Sequence, residues 1–199
     1  MGDVLEGADD TQIRSGVIGE IGTGWPVKRQ EEKVIVASAQ AQQASGAPVM
    51  IHPGRDPQAP FETIRILEKA GGNPERTIMA HIDRTLFDTN AMRELAATGC
   101  LLEFDLFGWE AAYYPLAEID MPNDARRLEH LKRLFDAGLG DRLVISQDIC
   151  LKTRLRRYGG ESYSHILQKV LPIMERNGLG QQEIEQLCVL NPRHILAFE

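Results

Sequence analysis

The sequence predicts an α/β fold built on a parallel sheet of five strands, and three observations carry that prediction. Apolar runs of four to five residues, such as PVMI before His52 and TIMA before His81, have the pattern of strands buried on both faces. The two histidines lie 29 residues apart, close to the roughly 30-residue repeat of a strand–helix–strand unit. Segments of helical periodicity fill the intervals, which is the alternation of a parallel sheet with helical crossovers. In such a sheet all strand ends lie along one edge, the edge at which α/β barrels carry their chemistry.

Taken in order, residues 15–22 read as a short buried strand that delivers Glu20, with Gly16, Gly19, Gly22 and Gly24 allowing close backbone approach. Pro26 marks a possible helix start, residues 34–45 continue it with Val34, Ile35, Ala37, Ala41 and Ala44 mostly at helical spacing, and Gly46 ends it. Residues 48–52 form the strand to His52. A helix over 61–70 follows, with Ile64, Leu67 and Ala70 on one side and Gly71-Gly72 behind it. Asn73-Pro74 turns the chain into the strand 77–81, which ends on His81. A helix over 89–98, stopped by Gly99, leads to the strand 100–104.

Residues 105–123 are rich in aromatics (Phe107, Trp109, Tyr113, Tyr114) and read equally as an active-site loop or a hydrophobic flap. Asn123 caps a helix running to residue 137, whose apolar side holds Leu128, Leu131, Leu134 and Phe135. The last strand, 142–146, delivers Asp148. Residues 163–177, 181–189 and 192–197 read as helices. Pro172 is expected to kink or divide the first, and Asn191 to cap the last ahead of Pro192.

A length of 199 residues suits one domain spanning 1–199. The net charge of −7 argues against a nucleic-acid partner, and no Lys/Arg block suggests a membrane surface. The one basic cluster, residues 152–157, reads as a solvated loop. Three cysteines without a CxxC pair suit a reducing compartment, with Cys100 a core residue. The acidic start MGDVLEGADD lacks the apolar stretch of a signal peptide, and Glu6 at the sixth position does not fit N-myristoylation. No run of about 20 apolar residues offers a membrane span. The expected location is cytoplasmic.

Residues of metal-ligand type close four of the five strands: Glu20, His52, His81 and Asp148. Imidazole nitrogen and carboxylate oxygen are the usual donors for Zn2+ and similar ions. A bridging carboxylate can hold two ions about 3.5–4 Å apart over a shared hydroxide, with a water pKa lowered to roughly 7. Glu20 suits the bridge, His52 and His81 one ion, and Asp148 the catalytic base. A lone histidine at a strand end is more often scaffolding; the specific signal is all four, in this order, on strands of one period. His130, His165 and His194 fall within predicted helices and read as packed or solvated.

The series GVIGEIG, VMIHPGR, TIMAHIDRT, LVISQDI and the closing NPRHILAF resembles the later part of the phosphotriesterase-related branch of the amidohydrolase superfamily, nearly end to end. The resemblance implies a partial TIM (β/α)8 barrel covering strands 4–8 with their helices, the N-terminal three βα units missing. It also implies a hydrolase of ester or amide bonds that uses two divalent metals, usually zinc, in the intact protein. Small N-acyl amides such as N-acetyltaurine are implied as substrates. Glu20 matches the bridging position, where bacterial phosphotriesterases carry a carbamylated lysine. His52 and His81 match the histidines after strands five and six, and Asp148 the strand-eight ligand and proton shuttle. Arg55 and Arg84 are candidates to orient substrate or brace loops, against a commoner role in surface or structural ion pairs.

The family pattern opens with a His-x-His on the first strand, and none occurs here. On this reading about 100 residues of barrel are absent, together with two metal ligands. Gln147 and Cys150 flank Asp148 where related sequences often carry histidines. The expectation is one ion or none and little activity. Two alternatives are a non-catalytic short form that binds a partner chain, and a TatD-like metal nuclease. The acidic balance and Glu20 argue against the latter. Five strands also leave two open edges, so self-association and poor solubility are expected.

Overall fold

Five parallel strands pair in chain order in the computed structural model, which describes residues 2–197: β1 (Ile18–Gly22), β2 (Val49–His52), β3 (Thr77–Met79), β4 (Leu101–Phe104) and β5 (Leu143–Ile145). Val49 pairs with Thr77, Ile78 with Leu101, and Leu102 with Leu143. The period-2 alternation then splits the apolar runs between two faces. Val49, Ile51, Met79, Leu102, Phe104 and Leu143 pack into the main core under the helices. Met50, Ile78, Leu101 and Val144 gather on the other face, closed by Ile195 from the last helix. Among the described residues β1 and β5 each pair on one side only.

After a helical turn, α1 (Gly2–Leu5), the first long helix is α2 (Arg29–Ser45). It starts three residues beyond the proline at which a start was expected, because Glu31 accepts the Lys28 backbone N–H at 2.8 Å and so caps the first turn. Gly46, left-handed at φ 73°, ends it. Next, α3 (Ala59–Lys69) begins two residues earlier than the sequence suggested, with Pro60 in its first turn. β3 is shorter than expected: His81 leaves the strand at φ 57° and starts a one-turn helix, α4 (Ile82–Thr85). α5 (Thr89–Ala96) and α6 (Asp124–Asp136) follow, the latter capped by Asn123 Oδ1 accepting the Arg126 N–H at 2.9 Å.

The tail departs from the expected helices in an informative way. Residues 166–177 pass from a π-helical turn (Ile166–Val170) through α7 (Leu171–Met174) into a 3-10 turn. Then α8 (Gln181–Glu185) passes through a second π turn (Gln186–Leu190) into α9 (Asn191–Leu196). Each π turn hands over to a segment whose second residue is proline, Pro172 or Pro192. A proline ring collides with the carbonyl four residues back, and the wider turn makes room for it. Pro172 therefore changes the helix type rather than dividing the helix. Asn191 is likewise no cap: it is the first residue of α9, and its Nδ2 donates to the carbonyls of Gly140 at 2.7 Å and Leu143 at 2.6 Å, tying α9 to β5.

Glu103 lies two residues from Leu101 on the same face of β4 and is buried. Burial, with Asp105 nearby, pushes its carboxyl up to about 8 against the lowering effect of a Ser146 hydrogen bond. A carboxyl raised this way leaves stability whole below about 4.5 and withdraws it as pH climbs through about 8. Urea melts between pH 5 and 8 should show the parent losing a few kcal/mol, and Glu103→Gln a flatter profile. Equal slopes in the two proteins would refute the assignment.

Candidate metal centre

Three adjacent strands bring one side chain each, in or just after the strand, to one point. In β1, Gly19 adopts φ 111°, and a Cβ there would stand 2.5 Å from the Met50 carbonyl. The resulting bulge between Ile18 and Ile21 shifts the register and turns Glu20 toward β2. His52 ends β2, and left-handed His81 follows β3. Glu20 Oε1 lies 3.0 Å from His52 Nδ1 and 2.8 Å from His81 Nε2, and the two ring nitrogens are 2.8 Å apart.

Asp105, directly after β4, holds His81 twice: Oδ1 is 2.8 Å from Nδ1, and Oδ2 accepts the backbone N–H at 3.0 Å. The ring is thereby fixed with Nε2 toward Glu20. Hydrogen bonds from His52 and His81 hold the Glu20 carboxyl well below the usual carboxylate range. Burial works to lower His81, but Asp105 and Glu20 outweigh it and raise the imidazole to about 10. Burial pushes Asp105 up to about 6 against its bond to His81.

One carboxylate oxygen and two imidazole nitrogens are a donor set suited to zinc and similar ions. The three donor atoms all lie within 4.8 Å of one another. Asp105 on the far nitrogen of His81 is the carboxylate–histidine support common behind metal-bound histidines. Asp105 was missed by the sequence reading, although it follows its strand as directly as His81 follows β3.

A cleft of about 250 Å³ opens beside the cluster, lined by His52, His81, Arg55, Arg84, Tyr114 and Asp148 among others. Asp148, at φ 42°, stands on its wall outside the three-donor group, with Cys150 Sγ 3.5 Å from its Oδ2. Arg55 Nε donates to the Tyr114 hydroxyl at 2.9 Å. Arg84 is buried, its Nη2 3.1 Å from His52 Nε2 and donating to the Pro53 carbonyl at 3.2 Å. Burial, with Arg55 nearby, lowers its pKa. Neither arginine has a salt-bridge partner among the described residues, so the ion-pair role expected for them is not what the structure shows.

Loop 105–123 roofs the cleft with Leu106, Trp109, Leu116 and Met121, and Leu106, Tyr114 and Met121 form a small core within it. It is both flap and lining. Beneath it, fully buried Arg127 donates to Asp83 Oδ2 at 2.6 Å, Asp124 Oδ1 at 3.0 Å and the Trp109 carbonyl at 2.9 Å. His165 packs there too, its Nε2 2.6 Å from Asp124 Oδ2. In the basic run, Lys152, Arg156 and Arg157 are exposed as expected, while Arg154 is drawn inward.

A model of the phosphotriesterase family matches residues 1–196. The chain belongs to that family. It is 48% identical over 198 residues to an N-acetyltaurine hydrolase of Tetraodon nigroviridis, covering 99% of this chain and 57% of that protein. A resiniferatoxin-binding protein from Rhodobacter sphaeroides superposes with a TM-score of 0.91 at 33% identity, over 98% of this chain and 54% of the other. An Escherichia coli phosphotriesterase homology protein, complexed with phosphate in its active site, gives 0.85 at 26% identity, over 98% and 64%. The chain thus spans little more than half the length of the curated relatives it matches. Its five-stranded parallel arc is a partial phosphotriesterase-type barrel.

Removing the support behind a metal-bound histidine typically weakens binding about 10–100-fold. Asp105→Asn should do so for zinc in a competition titration, with the fold checked by circular dichroism. An unchanged affinity would show that Asp105 does not orient His81 for an ion.

Proposed function

We propose that this chain carries one metal site of a hydrolase that cleaves small N-acyl amides, N-acetyltaurine among them, or related esters. The observation that carries the reading is the convergence of Glu20, His52 and His81 with their donor atoms 2.8–3.0 Å apart. These three would hold a divalent ion, zinc by donor type. Such an ion supplies Lewis acidity, which polarises a carbonyl and makes water a nucleophile near neutral pH.

The chain's own residues do the rest. Asp105 keeps His81 in one orientation, and Glu20 faces both rings with a single oxygen. Asp148, across the cleft, takes a proton and returns it to the leaving amine. Arg55 and Arg84 offer two guanidinium groups without a carboxylate partner among the described residues, which favours a substrate with an anionic end such as a sulfonate. The cleft, about 250 Å³, is below the roughly 300–1,000 Å³ usual for drug-sized ligands and suits a small molecule.

No His-x-His motif is present, so the proposed stoichiometry is one ion and the turnover slow. We also propose that residues 1–199 fold as one unit. Three free thiols suit a cytoplasmic location. Among the described residues β1 and β5 each pair on one side only, which favours a second reading in which the chain acts by pairing with another polypeptide. Light scattering should then show a mass that rises with concentration; a fixed monomer mass would remove that reading.

Zinc titration of the purified protein should give one site, lost in Glu20→Ala. Arg55→Met should raise KM for N-acetyltaurine about tenfold or more, as loss of a charge-assisted bond does, and leave a neutral N-acyl amide nearly unaffected. Zinc held equally well by Glu20→Ala would sink the metal site, and equal effects on both amides would sink the anion preference.

A further inference from the structure

Asp148 and the roof of the cleft belong to different βα units, yet one side chain joins them. Arg154 Nη1 donates to the Asp148 carbonyl at 3.0 Å, and Nη2 donates to the Phe107 carbonyl at 3.0 Å. Its guanidinium carbon lies 5.2 Å from the centroid of the Trp109 ring, within cation–π range. No carboxylate pairs with it among the described residues, so its charge is spent on two backbone oxygens and an indole.

The surroundings are built to hold that arginine. Ser162 donates its backbone N–H to the Arg154 carbonyl at 2.9 Å. A Cβ on Gly160 would fall 2.2 Å from the same carbonyl carbon and oxygen, so only glycine lets the loop close over Arg154. Asp148 meanwhile holds φ 42°, a backbone state that a non-glycine residue keeps only where its surroundings impose it. The bond from Arg154 to the Asp148 carbonyl is one such imposition; the Cys150 N–H donating to the same oxygen at 2.8 Å is another.

We propose that Arg154 is a positioning residue that couples the placement of the Asp148 carboxylate to the closed arrangement of the loop bearing Trp109. Movement of the roof is then felt at Asp148, and the reverse. Arginine is required because its rigid planar fork presents two parallel donors to two carbonyls while its face meets the indole. A lysine ammonium is a single point and cannot span both. The proposal rests on the role given above to Asp148, but it is tested without metal or substrate, so failure of zinc binding or turnover leaves it standing or falling on its own.

The test uses the full chain carrying Trp25→Phe and Cys188→Ser. Trp109 is then the sole indole, and Cys150 the sole accessible thiol, since Cys100 is fully buried. Cys150 Sγ touches the Asp148 carboxylate, so its rate of maleimide labelling reads the placement of Asp148. In Arg154→Gln and Arg154→Lys, acrylamide quenching of Trp109 and labelling of Cys150 should both rise about two- to threefold well below the melting transition. Adding Trp109→Leu should leave Arg154→Gln little further effect on labelling, the non-additivity expected of coupled residues. The proposal is overturned if only one reporter moves, if neither moves, if lysine behaves as the parent, or if the two substitutions add.

Discussion

Parallel pairing is the constraint on which everything else depends. Five strands that run the same way deliver five chain ends to one rim, and neighbours about 4.8 Å apart place those ends within side-chain reach. Glu20, His52 and His81 sit on three consecutive strands and therefore meet. Asp105, on the next strand along, reaches only His81 and becomes its support. Asp148, one strand further, lies outside the three-donor group and lines the cleft beside it. Position in the strand order thus sets which of these groups meet, which one braces another, and which faces them from the cleft wall.

That order explains what was legible in the residues. Short apolar runs marked the five strands, and ligand-type residues near the ends of four of them marked four of the rim groups; β2, β3 and β4 are buried as their runs imply, whereas β1, read as buried, leaves Gly19, Glu20 and Gly22 exposed. Asp105 escaped because its strand carries Glu103 inside the run and a long aromatic loop behind it, so the acid read as the loop's first residue. Arg154 escaped for a different reason. In a run of four cations within six residues, nothing local distinguishes the one turned inward; that depends on Phe107, far away in sequence. Arg55 and Arg84 were marked by their places after the two histidines, but that neither has an acidic partner among the described residues is a tertiary fact. The π turns before Pro172 and Pro192 were invisible because proline usually signals a break, and here the helix continues through a turn of larger radius.

The loop over the cleft illustrates how buried charge can serve placement rather than stability. Removing a guanidinium and two carboxylates from water is expensive, and their mutual attraction returns the cost only when the geometry is good. Arg127 meets that condition with Asp83, Asp124 and the Trp109 carbonyl, and Asp124 in turn accepts from Gly108 and engages His165. An apolar replacement could fill the space. It would not tell α4, the roof loop and α6 how to sit relative to one another.

Some side chains of this roof take no part in fastening it. Arg127, Asp83 and Asp124 lie beneath, whereas Leu116 and Tyr113 are exposed above and carry none of the fastening bonds described for the loop. Exchange at the upper positions leaves the lower network intact. One or two roof side chains can therefore vary, and the lining of the cleft with them, without first rebuilding the scaffold that holds them.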